Sequence, residues 1–321
     1  MKILVTGASG FIGGNLVEML AADGRSEIWA TGRSFTNKFD PYINVTYFQQ
    51  DLSADIPDQD CDVCIHCAGL ADDKASKEQF DNHNVKATEN LLRAVRHCNL
   101  LIFISSASVY DFADGTVKFE QDAHMNNHLS LYGQSKLLAE EVVRASGINS
   151  VYILRPRAVY GRGDRVLLPR ILGLVRNGKM ILPRKLSSRA SMTHIGNLSE
   201  MVVKCFAQSA PGTHIFNVAD KITYDLKSVF GEILKQKSGS KAFVFIPMPI
   251  VAFFVFVGSY LGVGGRLSKQ ALKYVTEDSV ISVEKAEKLL GYAGQHEFFS
   301  SMGELDIPQT RSRIRSGITH Y

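Results

Sequence analysis

Apolar runs alternate with amphipathic segments along the first half of the chain. Short apolar runs, typical of buried strands, occupy residues 1–6, 27–31, 45–49, 63–67, 100–105 and 150–154. Apolar residues recur with helical spacing at 15–22, 82–98 and 132–145. Strands that alternate with helices in this way form a parallel sheet covered by helices on both faces. The pattern therefore predicts an α/β fold with a doubly wound parallel sheet.

The pattern loosens from about residue 159. Short helical pieces there alternate with clusters of Pro, Gly and Ser at 161–164, 183–189 and 237–241. This composition favours a smaller, partly helical lobe that binds substrate. We predict a first domain at 1–158, to which later segments return, a substrate-binding lobe at 159–308 and a polar tail at 309–321.

One stretch of the second lobe is unusually apolar. Residues 242–265 are broken by Pro247 and Pro249, which leaves 250–263 uninterrupted. That run is shorter than the roughly 20 residues that a membrane-spanning helix needs. We predict no spanning segment. Two interpretations of this run stay open. It forms a buried helix that packs on the second lobe, or it forms a surface that faces lipid or a lipophilic substrate.

Composition and charge limit the classes of partner. With 321 residues, 45% hydrophobic and 21% charged, the chain can build a large core and is not disordered. The net charge of +4 comes from 36 basic and 32 acidic residues, a balance that does not indicate nucleic acid. A small-molecule substrate is the expected partner. The oligomeric state stays open, with a homodimer as one arrangement.

Five cysteines provide no disulfide framework. Cys61, Cys64 and Cys67 have a spacing that resembles a metal site, but they fall on a strand predicted to be buried, where alternate side chains point to opposite faces. We therefore interpret them as buried thiols in a reducing compartment and predict no metal. The N-terminus enters the first strand directly, so we predict no secretory signal and a cytoplasmic location.

A glycine-rich turn joins the first predicted strand to the first helix. Gly7, Gly10 and Gly13 stand in this turn. Glycine lets the chain turn sharply and lets a pyrophosphate approach the N–H groups at the start of the helix. The spacing and its context indicate a dinucleotide site on a Rossmann-type sheet. Ligands of such sheets bind beyond the carboxyl ends of the strands, where Asp51, His66, Ser106 and Arg155 are also expected.

Tyr132 and Lys136 form a candidate proton-transfer pair. They lie one helical turn apart and so share a face of the predicted helix. A tyrosine with its ordinary pKa of about 10 is a poor base at neutral pH, and a neighbouring ammonium lowers that pKa. Such a pair can donate a proton to a ketone or accept one from an alcohol. The same spacing also arises by chance on helix surfaces.

Several ordered motifs support the pair. They are TGASGFIGG at 6–14, QDL at 50–52, HCAG at 66–69, NVKAT at 84–88, FISSASVY at 103–110, YGQSK at 132–136, LRPRAVYGRGD at 154–164 and KAEKLLGY at 285–292. With these motifs the chain resembles the extended short-chain dehydrogenase/reductase superfamily, also called the epimerase/dehydratase family. Two departures are Asp111 after Tyr110, where the family often has glycine, and HCAG in place of the usual pair of alanines.

The resemblance implies roles for individual residues. Tyr132 would be the catalytic acid/base, Lys136 its partner and a ligand of the nicotinamide ribose, and Ser106 the catalytic hydroxyl, with Ser105 and Ser108 as neighbouring competitors. Asn84 would fix the sheet edge near the site or cap a helix. The implied cofactor-binding residues are Gly7, Gly10, Phe11, Ile12, Gly13, Arg33, Ser34, Asp51, Leu52, Ala68, Gly69, Tyr132, Lys136 and Pro156. The candidate substrate-binding residues are Asn84, Ser108, Arg157 and Arg189.

The end of the second strand bears on the choice of cofactor. An acidic residue there binds the ribose 2′-OH of NAD, whereas an arginine suits the 2′-phosphate of NADP. Gly32 falls at about the position of the acid, and Arg33 and Ser34 follow. We therefore favour NADP(H) over NAD(H). The alternative is that Arg33 is a solvated loop residue and the cofactor is NAD.

The second half resembles two groups within the superfamily. Residues 189–198 resemble the nucleotide-sugar epimerases and 4-keto reductases, in which an arginine meets a diphosphate. Arg162, Arg165, Arg170 and Arg189 could supply such a clamp. Residues 155–164, 167–171 and 266–272 look more like 3β-hydroxysteroid dehydrogenases and 3-oxo-acid reductases. Our first choice is an NAD(P)-dependent oxidoreductase or epimerase of a keto nucleotide sugar, and the alternative is a lipophilic substrate. A non-catalytic dinucleotide-binding protein is a remote third.

Overall fold

A seven-stranded sheet forms the centre of the molecule, and each of its strand pairs is parallel. The computed structural model describes residues 1–72, 74–126, 129–183, 188–239, 242–247, 249–250 and 276–308. The strands of the sheet are β1 (Lys2–Thr6), β2 (Glu27–Gly32), β3 (Val45–Gln49), β4 (Val63–His66), β5 (Leu100–Ile104), β6 (Ser150–Pro156) and β12 (Gly212–Val218). Their spatial order is β12-β6-β5-β4-β1-β2-β3, which confirms the predicted doubly wound sheet.

Helices cover both faces of this sheet. α1 (Phe11–Asp23), α6 (Ile195–Gln208) and α8 (Glu284–Leu290) pack on one face, and α3 (Ala87–Ala94) and α4 (Leu131–Arg144) pack on the other. The remaining helices are α2 (Lys77–Phe80), α5 (Leu167–Leu172) and α7 (Leu226–Ser238). Side chains alternate along each strand, so Ile3 and Val5 pack in the core shared with α1 and α6, whereas Leu4 packs with α3 and α4. Burial on both faces explains why these strands are continuously apolar.

The segment 82–98, predicted as one helix, is built differently. A π-helical turn at Asp81–Lys86 follows α2 and occupies the start of this segment, and α3 continues it only to Ala94. A π-turn inserts one extra residue and changes the direction of the side chains that follow, and such turns are frequent at functional sites. A regular apolar spacing does not distinguish this arrangement from a plain helix.

Small sheets and helices α5 and α7 build the second lobe. Its strands are β7 (Val159–Tyr160), β8 (Val175–Arg176), β9 (Lys179–Pro183), β10 (Arg189–Ala190), β11 (Thr193–His194), β13 (Tyr224–Asp225) and β14 (Phe243–Ile246). The buried carboxylate of Asp220 joins several of them, because it accepts hydrogen bonds from Tyr160 Oη at 2.6 Å and Tyr224 Oη at 2.8 Å. It also accepts from the backbone N–H of His194 and from Asn197 Nδ2.

Some sequence predictions concern residues that lie outside the described part of the chain. The tail at 309–321 and the apolar run from 251 onward lie outside the described residues. Among the residues that the structure describes, no helix combines the length and apolarity needed to cross a membrane. β12 comes from the range 159–308 and returns to pair with β6. The cytoplasmic location remains a prediction.

Candidate active site

The glycine-rich turn fixes the contact between β1, α1 and the segment after β4. Gly7 has a φ of +68°, and a Cβ there would lie 2.7 Å from Ala68 N. A Cβ on Gly13 would lie 2.5 Å from Gly7 O. Gly10 caps α1 with no side chain, so backbone N–H groups at the start of the helix are left for an anion. This cradle fits the diphosphate of a dinucleotide.

Lys136 is anchored at the carboxyl end of β5. Its ammonium donates to Ile104 O at 2.8 Å and lies 4.7 Å from the centre of the Phe103 ring. A Cβ on Gly69 would lie 3.4 Å from Nζ, so the ammonium reaches the segment after β4. Burial lowers the pKa of Lys136 to about 8. Tyr132 is half-buried one turn earlier on α4, and its ring lies near Phe80.

The structure separates the three candidate serines. Ser105 is buried and donates to Glu140 Oε1 at 2.6 Å, and Glu140 in turn forms a bidentate ion pair with buried Arg155. Ser106 is half-buried and starts a 3₁₀ turn, where its Oγ accepts from Ser108 N and donates to Ser108 Oγ, both at 3.1 Å. Ser105 therefore belongs to the core, and Ser106 and Ser108 form the hydroxyl pair available at the site.

Helix α4 lies directly on this serine turn. A Cβ on Gly133 would stand 2.1 Å from Ser108 O, so only glycine permits the observed approach. Ser130 caps the helix by accepting from Gly133 N at 2.9 Å. The motif YGQSK therefore needs its glycine as much as its tyrosine, because Gly133 brings the element that carries Tyr132 against the element that carries Ser106.

Asn84 ties the cofactor-facing segment to α4. It occupies the π-turn, is 2% exposed and holds both backbone groups of Leu70, accepting from the N–H at 2.6 Å and donating to the O at 3.1 Å. Its Nδ2 also donates to Ser135 Oγ at 2.8 Å. These contacts show that Asn84 fixes the segment after β4 and does not cap a helix.

A buried hydrogen-bond chain supports Asn84 from behind. Ala68 N donates to Thr6 Oγ1 at 3.2 Å, and Thr6 Oγ1 lies 2.7 Å from His66 Nδ1. His66 Nε2 lies 2.9 Å from Thr88 Oγ1, which donates to Asn84 O at 2.6 Å. The carbonyl can only accept, so the chain is consistent with a neutral His66 protonated on Nε2. Burial and the Lys136 charge lower the pKa of His66 to about 3, which favours this neutral state.

Side chains of Ser9 and Tyr47 crowd the end of β2 at Gly32. A Cβ on Gly32 would lie 2.4 Å from Ser9 Oγ and 3.0 Å from Tyr47 Oη. Arg33 is exposed, with Nη1 3.5 Å from His83 Nε2, and Ser34 follows it. The end of β2 therefore carries an arginine and hydroxyls where NAD-binding sheets place a carboxylate.

The adenine-side candidates of the next loop are engaged locally. Asp51 accepts from the backbone N–H and the hydroxyl of Ser53, at 2.9 and 2.8 Å. The backbone hydrogen bond from Ser53 is the main cause that lowers the pKa of Asp51. Leu52 is buried, and its carbonyl accepts from Asn90 Nδ2.

The structure gives each of the candidate arginines Arg157, Arg170 and Arg189 a different partner. Arg189 donates to one oxygen of Asp278, Oδ2, from Nε at 3.1 Å and from Nη2 at 3.0 Å, and its backbone N–H donates to Oδ1 at 2.7 Å. Arg157, just after Pro156 at the end of β6, donates to Ser279 Oγ at 2.9 Å. Arg170 donates to Ala71 O at 3.4 Å, across the cleft on the segment after β4.

Two clusters of potential metal ligands lie elsewhere, one at Cys61, Cys64 and Cys67 and one at His194, His296 and Glu304. Burial raises the pKa of the Cys61 thiol to about 11 and that of Cys67 to about 12, so both stay protonated. His194 Nδ1 accepts from Gly196 N, so a neutral ring carries its proton on Nε2, which faces Glu304 Oε2 at 3.2 Å.

Comparisons with known proteins agree on one family. The family model described as NAD dependent epimerase/dehydratase family matches residues 3–219. The chain is 27% identical over 257 residues to N-acetyl-alpha-D-glucosaminyl-diphospho-ditrans,octacis-undecaprenol 4-epimerase of Escherichia coli O157:H7, covering 78% of this chain and 76% of that protein. It is 25% identical to a decarboxylating sterol-4-alpha-carboxylate 3-dehydrogenase of Dictyostelium discoideum, covering 95% and 99%. UDP-glucuronic acid 4-epimerase from Bacillus cereus, solved with NAD, shares the fold with a TM-score of 0.74 at 20% identity, covering 95% and 97%.

Proposed function

Because the chain belongs to the NAD dependent epimerase/dehydratase family, we propose that it moves a hydride between a nicotinamide and a carbinol or ketone carbon of a small molecule. Membership confirms the resemblance and the class predicted from the sequence, an NAD(P)-dependent oxidoreductase or epimerase. One observation supports this function most strongly. The buried Lys136 ammonium is anchored at the carboxyl end of β5, one helical turn from Tyr132 and beside the serine turn.

The chain's own residues supply the proton chemistry. Tyr132 donates its phenolic proton to a substrate carbonyl, or accepts one from a carbinol in the reverse direction. Lys136 stays largely protonated at neutral pH because its pKa is about 8, and its charge stabilises the phenolate that forms. Ser106 holds the substrate oxygen, and Asn84 fixes the segment that lies over the cofactor. The nicotinamide, when bound, supplies or accepts the hydride.

We propose NADP(H) as the preferred cofactor. The space that an acidic residue at position 32 would need is occupied by Ser9 Oγ and Tyr47 Oη. Arg33 and Ser34 follow directly, and an exposed guanidinium can grip a phosphate with two donors. A 2′-phosphate would therefore meet complementary charge, whereas a 2′-hydroxyl would lack its usual carboxylate partner.

Cofactor titrations test this preference. The wild type should bind NADPH more tightly than NADH, and Arg33→Ala should remove most of the difference, roughly 10- to 100-fold, because a charged hydrogen bond contributes about 1.5–3 kcal/mol. Arg25→Ala is the matched control, since Arg25 is also exposed but pairs with Asp23 at the far end of α1. A wild type that prefers NADH would contradict the assignment.

For the substrate we propose a keto nucleotide sugar, reduced or epimerised. The similarity to the undecaprenol-linked sugar 4-epimerase supports the sugar and the diphosphate of this choice, since the name of that relative specifies a sugar joined through a diphosphate to a lipid. The similarity to the sterol dehydrogenase supports the second candidate, a lipophilic 3-hydroxy or 3-keto compound. Arg189 distinguishes the two, because a diphosphate would compete with Asp278 for its guanidinium, whereas a sterol makes no such demand.

Thermal shifts of the NADP-saturated protein separate these substrates. UDP or dTDP should raise the melting temperature if the sugar proposal holds, since a ligand at 100 times its Kd stabilises a fold by about 2.7 kcal/mol. Arg189→Ala should abolish the rise, and Asp278→Asn should enlarge it by releasing Arg189. If nucleotides have no effect while a sterol or a 3-keto ester stabilises the protein, the second candidate replaces the first.

A further inference from the structure

A loop of the second lobe, residues 161–166, lies on the first turn of α1. Arg165 Nη1 donates to Ser9 O at 3.4 Å, within the glycine-rich turn itself. Asn15 Nδ2 donates to Arg162 O at 3.4 Å, and a Cβ on Gly163 would lie 3.9 Å from the Phe11 ring. The loop therefore covers the end of the helix that forms the diphosphate cradle.

The loop is held in a defined shape. The buried carboxylate of Asp164 accepts three backbone N–H groups at the start of α5, at 2.7, 3.0 and 2.8 Å. Gly161 and Gly163 have φ angles of +140° and +83°, which side chains rarely tolerate. Gly163 N also donates to Asp306 Oδ2 at 3.1 Å. Arg165 is thus presented from a braced turn next to the cradle.

The charges around this cradle favour an anion. The first turn of α1 carries no acidic residue, and no side chain caps it. In the described part of the chain Arg165 takes part in no ion pair, and its acceptor is a neutral carbonyl at 3.4 Å. The nearby Glu18 is already paired with Lys38 at 3.1 Å. A phosphate oxygen would be a stronger acceptor than Ser9 O for the same guanidinium.

We propose that Arg165 is a ligand of the cofactor's diphosphate, supplied by the second lobe. The inference rests on the proposed function, since it assumes that a dinucleotide binds at α1. It also moves Arg165 from the substrate-diphosphate clamp considered above to the cofactor, and leaves Arg189, on β10 and paired with Asp278, as the candidate for the substrate.

Titrations of the full-length protein with NADH and NADPH test this role. Arg165→Ala should weaken both dinucleotides by the same factor of roughly ten, because an exposed charge-assisted hydrogen bond is lost from a phosphate that both share. Arg165→Lys should retain part of the affinity through its charge. Arg162→Ala is the matched control from the same loop, since its backbone carbonyl makes the contact there, and it should change either affinity by less than about twofold.

Each contrary result has a distinct meaning. A loss confined to NADPH would make Arg165 a ligand of the 2′-phosphate and would overturn the proposal. An equal loss of dinucleotide affinity in Arg162→Ala would show that the effect comes from the positive charge of the whole loop. An unchanged affinity in Arg165→Ala would exclude the contact with the diphosphate. Either result overturns the proposal. If the wild type binds neither dinucleotide, the proposed function fails as well, whereas wild-type binding that ignores Arg165 refutes this inference alone. Melting temperatures without ligand should match in all variants, because both arginines are exposed.

Discussion

Tyr132→Phe is expected to lower turnover by roughly 10²–10⁴-fold, the usual contribution of a positioned acid or base. The substitution removes one hydroxyl and keeps the ring, which packs near Phe80. Dinucleotide affinity should stay within about twofold, because the cradle at α1 and the Lys136 anchor on Ile104 O are unchanged. The measurement is the change in reduced-nicotinamide absorbance with a substrate that the wild type turns over, beside a cofactor titration.

The matched control for this prediction is Tyr42→Phe. Tyr42 packs against the core beside α1 and lies outside the proposed site, so loss of its hydroxyl should leave turnover near the wild-type value. Turnover of Tyr132→Phe equal to wild type would remove Tyr132 from the mechanism. A parallel loss of dinucleotide affinity would instead assign its effect to cofactor binding.

The sheet could be predicted from the sequence because its signal is local. β5 is apolar throughout and β1 is apolar from Ile3 to Val5, since both faces of each strand are buried there. The bounds of β3, 45–49, agree with the prediction residue for residue. β12 was not predicted, because this edge strand is exposed at its start and its sequence stands between segments of the second lobe. The π-turn at Asp81–Lys86 was not predicted either, since the apolar residues on both sides of it keep a helical spacing.

The partners of the site residues could not be predicted in the same way. Ser105 and Ser106 are neighbours in sequence, and only Glu140, 35 residues away, shows that Ser105 belongs to the core. Arg189 likewise meets Asp278 across 89 residues. Motifs identify which residue types are present. Whether each side chain is paired within the protein or available at the site depends on partners that are distant in sequence, which local spacing does not encode.

Gly133→Ala is expected to lower turnover by roughly 10²-fold, although it removes no chemical group from the site. A Cβ at this position would stand 2.1 Å from Ser108 O and 3.1 Å from Ser108 C, both backbone atoms that cannot rotate away. Helix α4 must therefore shift off the serine turn. A displacement of about 1 Å between reacting groups can cost about 10²-fold in rate.

The stability of this variant separates packing from helix propensity. Alanine is the better helix former by about 1 kcal/mol, so the helix alone would gain from the substitution. Overpacking against Ser108 should outweigh that gain and destabilise the fold by about 1–3 kcal/mol. Turnover and melting temperature measured on the same sample test both effects.

Gly303→Ala provides the control for Gly133→Ala, because a Cβ on Gly303 would meet no atom within 4 Å. It should keep wild-type turnover and melting temperature. If folded Gly133→Ala also turned over normally, the approach of α4 to the serine turn would not set the distance between Tyr132 and Ser106. A lower melting temperature together with lost turnover would show that the close contact at Gly133 holds these two residues in register for proton transfer.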